Sequence, residues 1–299
     1  MRQGSGLNVK ASMHAHELPI DEALVRRLLG EQFPTWAGLP LQRIEPSGTV
    51  NAIFRLGDEL SVRLPRREGP TRPGSKGFDW LPKLAPLLPV EVPSPVAQGR
   101  PSSDYPWFWE IHRWVEGETV PVSEIDAIQA ARDLAAMIRA MQQIDPAGAP
   151  LGRGIPLLER DAGIRHWLAG FNGDPRAATE WERALRAPPW DGPPVWHHGD
   201  LDMRNWLIRD GRVTGVIDWG SMGVGDPACD VMVAWKLHSA AARDAFRDAL
   251  PTDDATWERA RGWVLSQAVA ALAYYTPDNN PALFHEADAW LDLVLSECE

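Results

Sequence analysis

Apolar residues recur along this chain with two different periods, and the change between them divides the sequence. Leu24, Leu28 and Leu29 lie on one side of a 3.6-residue repeat and predict a helix over residues 20–33. Three short β-prone runs follow, at 41–44, 52–56 and 60–64, the first two flanking the turn-forming stretch Pro46-Ser47-Gly48-Thr49-Val50-Asn51. Residues 66–77, rich in Pro, Gly and basic side chains, predict a loop. A short helix over 81–87 and a strand over 107–114 complete a small sheet-based region. From Ser123 the period becomes helical: Ile125, Ile128, Leu134, Ala135, Ile138 and Met141 share a face, with Ser123 and Asp126 spaced as a capping box. Further helices are predicted over 157–169, 176–187, 227–249, 255–275 and 282–297. The pattern predicts an α+β chain with a disordered leader over 1–16, a small N-terminal antiparallel-sheet lobe over 17–112 and a larger, mostly helical lobe over 113–299.

Composition narrows the function classes. A hydrophobic fraction of 44% and a charged fraction of 24% are those of an ordinary globular protein. The net charge of −11 argues against a nucleic-acid partner, because phosphate binding needs clustered Lys and Arg. The acid is unevenly placed: residues 1–113 hold 14 basic and 12 acidic side chains, residues 114–299 hold 16 and 29. That excess is either a solvated surface or a field that attracts a cationic ligand. Cys229 and Cys298 have no metal-ligand spacing and suggest neither a disulfide framework nor a zinc site, which fits a reducing cytoplasm. The longest apolar-leaning run, 262–275, is too short and too polar to span a bilayer, so no membrane partner is expected. Most of the 15 tryptophans are expected in the core.

Chemistry concentrates in residues 195–230. Trp206–Ile208 and Val213–Ile217 are β-prone runs joined by Arg209-Asp210-Gly211-Arg212, and Asp-Gly favours a two-residue type I′ hairpin. With that turn Asn205 faces Val216 and Asp218 faces Met203, which puts Asn205 and Asp218 diagonally on one face. An amide oxygen beside a carboxylate is a hard ligand set suited to Mg2+. Asp200 lies five residues before Asn205, the spacing of the protein-kinase catalytic loop, whose Asp takes the substrate hydroxyl's proton.

His198-Gly199-Asp200-Leu201 with Asn205, then Ile217-Asp218-Trp219, then Gly225-Asp226-Pro227 with Asp230, resembles the aminoglycoside phosphotransferase family over about residues 41–275. The resemblance implies a bilobal protein-kinase-like fold and transfer of the γ-phosphoryl group of ATP or GTP to a hydroxyl of a small cationic molecule. It implies Asp200 as catalytic base, Asn205 and Asp218 as metal ligands, and His198 as a loop-orienting residue. Asp226 is expected to cap the next helix, with Pro227 in its first turn. Ser47, Gly48, Thr49 and Asn51 correspond to a nucleotide-positioning loop. Arg63 stands where the family presents a phosphate-binding lysine, and residues 110–114, including Ile111 and Arg113, correspond to the hinge that meets the adenine edge. Two departures stand out. Arginine is not equivalent to lysine, and the carboxylate that pairs with that lysine is missing before Trp80, leaving Asp79 or Glu68. Asp202, Asp230 and Glu286 are candidates for binding a cationic acceptor. Rival readings are another acceptor (macrolide, peptide antibiotic, choline-like metabolite or sugar), an inactive nucleotide-binding scaffold, and a metallohydrolase using His197, His198, Asp200 and Asp218.

Overall fold

The computed structural model describes residues 18–44, 51–68, 75–170 and 174–296. The chain forms two compact units, one of residues 1–79 and 93–114, the other of 80–92 and 115–299. The segment 80–92, which sequence pattern assigned to the N-terminal lobe, belongs to the second unit, because Leu81, Leu84, Val90 and Val92 are buried in its core.

In the first unit, helix α1 (Glu22–Gln32) is capped by Asp21, whose carboxylate accepts the Leu24 N–H at 2.8 Å. Strands β1 (Leu41–Arg43), β2 (Asn51–Leu56) and β3 (Leu60–Pro65) follow, then α2 (Lys76–Leu84), along which the chain passes into the second unit, and β4 (Pro95–Gly99) and β5 (Trp109–Arg113). The sheet is antiparallel in the order β1-β2-β3-β5-β4. Alternation along the strands divides its faces. Ala52, Phe54, Leu56, Leu60, Val62, Leu64, Trp109 and Ile111 bury together with Leu24, Val25, Leu28 and Leu29 of α1. Arg63 and Glu110 are only half-buried.

The second unit contains α3 (Ala127–Gln142), α4 (Asp161–Gly170), α5 (Arg176–Arg186), β6 (Val195–His197), the hairpin β7 (Trp206–Arg209) and β8 (Arg212–Val216), and β9 (Gly223–Gly225). It ends in α6 (Ala228–Val231), α7 (Val233–Lys236), α8 (Ala240–Ala249), α9 (Asp254–Tyr274) and α10 (Pro281–Ser296). Trp181, Trp196, Trp206, Trp235 and Trp263 are fully buried there, as expected of core aromatics. No helix among the described residues is long and apolar enough to cross a membrane.

Three local expectations are corrected. The cap of α3 is Asp126 alone, accepting the N–H groups of Ile128 and Gln129, and no Ser123 capping box forms. The helix expected over 227–249 is three helices, interrupted at Met232 and again before α8, where His238 takes a left-handed conformation (φ 52°) and Ser239 caps the new helix by accepting the Ala242 N–H. The pairing of β7 with β8 slips by one residue after the turn. Asp210 and Gly211 have φ of 53° and 73°, the type I′ turn, and Arg209↔Arg212 and Ile208↔Val213 pair as the spacing requires. Beyond them Leu207 pairs with Gly215 and Trp206 with Val216, leaving Thr214 as a bulge. Glu91 accounts for it: its N–H donates to the Thr214 carbonyl at 2.8 Å and its carbonyl accepts the Val216 N–H at 3.0 Å, so the outer edge of β8 is held by a segment with its own register.

Asp133 of α3 anchors the hairpin, accepting the Arg212 guanidinium at 2.6–3.1 Å and the Val213 N–H at 3.1 Å. Its side chain is buried while most of Arg212 is exposed, so the lost backbone acceptor dominates the cost of removing it. Asp133→Ala should destabilise the chain by about 1–3 kcal/mol, the range for an unpaired buried donor. Asp133→Asn, which keeps an acceptor, should cost less, and urea melts of the two variants check the order.

Candidate active site

The loop after β6 carries the candidate base. Its backbone is held by Asp230 of α6, whose two carboxylate oxygens accept the N–H groups of His198 and Gly199 at 2.7 and 2.8 Å. Gly199 has φ 83°, and a Cβ on it would lie 2.7 Å from the Ser221 carbonyl, so the turn requires glycine. The fully buried His198 ring links both ends of the constellation. Its Nε2 donates to the Ile217 carbonyl at 3.0 Å, and its Nδ1 accepts the Asp200 N–H at 3.2 Å. The Ile217 carbonyl only accepts, which places the ring hydrogen on Nε2.

Asn205 ends the 3-10 turn Met203–Asn205, capped by Asp202. Its Nδ2 donates to the Asp200 carbonyl at 2.9 Å, which leaves its amide oxygen turned to the other side. The Asn205 carbonyl accepts the Ile217 N–H at 2.9 Å, so Asn205 faces Ile217. The bulge at Thr214 thus corrects the expected pairing with Val216 and the common strand face of Asn205 and Asp218. Asp218 comes one residue past that bond, leaving the strand at φ 64° and ψ 61°. A left-handed Asp is uncommon and is held here by its neighbours. Its exposed carboxylate accepts no hydrogen bond among the described residues.

Arg153 is the residue that sequence pattern missed. Its Nη1 donates to Oδ1 of Asp200 and, at 3.2 Å, to the Gly199 carbonyl. The segment 150–154 is laid along β9: Val224 N–H donates to the Pro150 carbonyl at 2.9 Å, and Asp226 N–H to that of Gly154, also at 2.9 Å. A Cβ on Gly225 would lie 2.2 Å from the Gly154 oxygen, so side chains are excluded from this seam. Nothing in the sequence around Arg153 signals the contact, because it spans 47 positions.

Two of the acceptor candidates, Asp230 and Asp202, are committed elsewhere, which corrects the expectation that they bind a cationic acceptor. Asp230 is buried and braces the loop as described. Asp202 is 3% exposed, with Arg204 Nε at 2.7 Å and the buried Lys236 Nζ at 3.3 Å. Burial opposes ionisation of Asp202, but the charges of Lys236 and Arg204 outweigh it and hold its pKa at about 2. Glu286 of α10 is partly exposed, 3.7 Å from Arg204 Nη1, with its pKa raised chiefly by burial. Asp226 accepts the Ala228 N–H and a bidentate pair from the buried Arg259, which makes it a structural brace. The metallohydrolase reading fails on the same ground. His198 spends both ring nitrogens on backbone, and His197 Nε2 accepts the Gly154 N–H. Among the described residues, the group His197, Cys229 and Asp230 is fully buried, with Asp230 already engaged.

In the first unit Asn51 opens β2 opposite Pro65, and Arg63 lies opposite Glu110. Ser47, Gly48 and Thr49 fall outside the described residues. The expected backbone contacts of Ile111 and Arg113 with an adenine edge are corrected. Ile111 is paired on both sides, with Val62 and Ala97, and the Arg113 N–H donates to the Ser94 carbonyl at 2.8 Å. The Arg113 side chain pairs with Glu59 at the surface.

A sequence profile of the phosphotransferase enzyme family matches residues 41–263. The chain belongs to that family. An aminoglycoside 3'-phosphotransferase of Escherichia coli is 42% identical over 59 residues, which spans 20% of this chain and 22% of that relative. Among solved structures, the GDP complex of aminoglycoside 2'-phosphotransferase-IIIa superposes with a TM-score of 0.70 at 16% identity, covering 94% of this chain and all of that one. The macrolide 2'-phosphotransferase of Brachybacterium faecium superposes with a TM-score of 0.61 at 23% identity, covering 93% and 97%. The family's protein-kinase-like fold, a small antiparallel sheet with a larger helical unit, is therefore the fold of this chain.

The Asp202 cluster generates a prediction. Its pKa is depressed below the ordinary 3.8, so its contribution to stability is complete above about pH 4 and is lost as pH falls through about 2. Asp202→Asn leaves Lys236 buried without its counter-charge and should cost about 3–5 kcal/mol at pH 7. Denaturant melts should show the gap from wild type narrowing as pH is lowered from 4 towards 2; a gap that widens would contradict the assignment.

Proposed function

We propose that this chain transfers the γ-phosphoryl group of ATP or GTP to a hydroxyl of a small molecule, with an aminoglycoside as the favoured acceptor. The observation that carries the reading is the Asp200-Asn205-Asp218 arrangement. One short loop and one hairpin present a half-exposed carboxylate, an amide oxygen freed by the bond from its own nitrogen, and an unengaged carboxylate in a left-handed turn. Membership of the phosphotransferase enzyme family supports it, as does the partial match to an aminoglycoside enzyme.

The donor set fits a hard divalent cation, because the Asn205 amide oxygen and the Asp218 carboxylate are both oxygen ligands without competing bonds among the described residues. Asn205 and Asp218 would hold magnesium there, and it would supply neutralisation of phosphate charge. Asp200 orients and deprotonates the acceptor hydroxyl. Arg153 holds Oδ1 of that carboxylate, which leaves Oδ2 to take the proton. Arg63 donates to phosphate oxygens through its planar fork. Positioning and electrostatics carry such a reaction, and no covalent enzyme intermediate is formed. We assign the activity to the cytoplasm, in keeping with the buried free thiol of Cys229.

A second reading, a less cationic acceptor such as a macrolide, is favoured by the Arg153–Asp200 ion pair and by the internal neutralisation of Asp202 and Asp230. A nucleotide-consumption assay over aminoglycosides, macrolides, peptide antibiotics, choline and sugars separates the two. For an aminoglycoside the KM should rise with ionic strength, since exposed charges are screened over about 8 Å at physiological salt, while kcat changes little. A KM indifferent to salt, with a neutral acceptor turned over faster, favours the macrolide-like reading. No turnover of any acceptor, with nucleotide bound, favours the inactive scaffold.

Asp218→Ala should lose turnover and the magnesium dependence of nucleotide affinity together. Calorimetric titration of nucleotide with and without Mg2+ checks this, and a metal dependence equal to wild type would remove Asp218 from the ligand set.

A further inference from the structure

The first unit contains a polar network around Arg63 whose other members the proposed chemistry leaves unused. Strands β3 and β5 pair so that Arg63 lies directly opposite Glu110 and Ser61 opposite His112. Directly opposed residues share a sheet face, and residues two apart on one strand do as well, so all four side chains lie on one face. The other face is the apolar core against α1. A polar face on a small sheet needs a reason, because each of its groups gives up water.

Glu110 is the centre of the network. Its side chain is 14% exposed, and three groups converge on it. Ser75, just before α2, donates its hydroxyl to Oε1 at 3.1 Å. His112 Nε2 lies 2.8 Å from Oε2, while its Nδ1 lies 2.7 Å from the Pro93 carbonyl. Both ring nitrogens therefore face oxygens. Arg63 acts through its charge. Burial opposes ionisation of Glu110, but the His112 hydrogen bond and charge, the Arg63 charge and the Ser75 hydrogen bond together hold its carboxyl below the ordinary range.

Arg63 itself is half-buried, yet among the described residues its guanidinium donates to no acceptor and forms no ion pair within 4 Å. Each oxygen of the opposing carboxylate already accepts one other bond, from His112 or Ser75. Glu110 thus attracts the guanidinium without consuming its N–H groups, and the five donors of the fork remain for another anion. Asp79 and Glu68, the carboxylates that the sequence left as partners, make no contact with Arg63 among the described residues.

We propose that Glu110, fixed by His112 and Ser75, is the positioning residue that holds Arg63 for the phosphate chain of the nucleotide, so that the arginine and its counter-charge are presented by neighbouring strands of one sheet. This rests on the nucleotide-dependent reading above. The network explains why arginine serves at this position. A lysine here would offer a compact point charge, whereas the guanidinium presents a planar pair of donors to phosphate oxygens.

Calorimetric titration of the full chain with Mg-ATP, Mg-GTP and adenosine tests the assignment. Glu110→Gln and Arg63→Gln should each weaken the better triphosphate by about 10-fold to 100-fold, the range for a charged hydrogen-bond partner, and leave adenosine affinity within about twofold. The double variant should bind no more than about threefold more weakly than the worse single variant, because both changes remove one interaction. Glu110→Asp, which keeps the charge, should recover part of the loss. Where Glu110→Gln does not fold, Ser75→Ala is read in its place and should weaken the triphosphate about twofold to fivefold without touching adenosine. Multiplicative losses in the double variant, an equal loss of adenosine and triphosphate, or an unchanged triphosphate affinity in the replacement variant would each overturn the assignment while leaving the phosphotransferase reading intact. A wild-type chain that binds none of the three nucleotides overturns that reading, and this inference with it.

Discussion

The candidate active site depends on the buried carboxylate of Asp230. Two backbone N–H groups at the start of the loop after β6 would otherwise be buried without acceptors, and Asp230 takes both. That contact sets the position of His198, whose ring then ties the Asp200 N–H to the Ile217 carbonyl. The Asn205 side chain closes the loop onto the Asp200 carbonyl, and its own carbonyl takes the Ile217 N–H. The candidate base and the two candidate metal ligands are thus held through six hydrogen bonds from one side chain outward. A buried polar network of this kind is rigid only when each member is satisfied, and here each is.

The same economy governs charge. The second half of the sequence carries a large acidic excess, yet the acids nearest the loop work inside the fold. Asp202 balances Lys236 and Arg204, Asp226 balances Arg259, and Asp133 pins the hairpin through Arg212. In the first unit the hydrogen bonds of His112 and Ser75 and the charge of Arg63 offset the burial of Glu110. Buried carboxylates of this sort need partners because desolvating an isolated charge costs several kcal/mol. The exposed charges left around Asp200 include two arginines, Arg153 and Arg204, beside the Asp218 carboxylate, which makes the acceptor's own charge the property most worth measuring.

Much of this was legible in the sequence where one local rule acted alone. The Asp210-Gly211 turn, the helical faces of α1 and α3, the presence of α9 and α10, and the spacing of Asp200, Asn205 and Asp218 all follow from short-range pattern. Failures occurred where a distant segment intervened. The hairpin register slipped because Glu91 pairs with the far edge of β8, more than a hundred residues away in sequence. The helix over 227–249 broke at His238, which periodicity does not detect because the flanking residues keep their apolar faces. Glu110 was read as hinge backbone, and only the β3–β5 register shows it opposite Arg63. Arg153 gave no sign, since its segment is a Gly-Pro-rich loop whose role comes from lying along β9.

The central claim is that Asp200 takes the proton from an acceptor hydroxyl during phosphoryl transfer. Its most direct test is the product mass formed by wild type and Asp200→Asn under saturating Mg-nucleotide, with the best acceptor of the panel, alongside nucleotide affinity for both proteins. The account predicts a singly phosphorylated acceptor from wild type, formation slowed by about 10²-fold to 10⁴-fold in the variant, and nearly equal nucleotide affinities. Phosphorylated acceptor made at the wild-type rate by Asp200→Asn would contradict it.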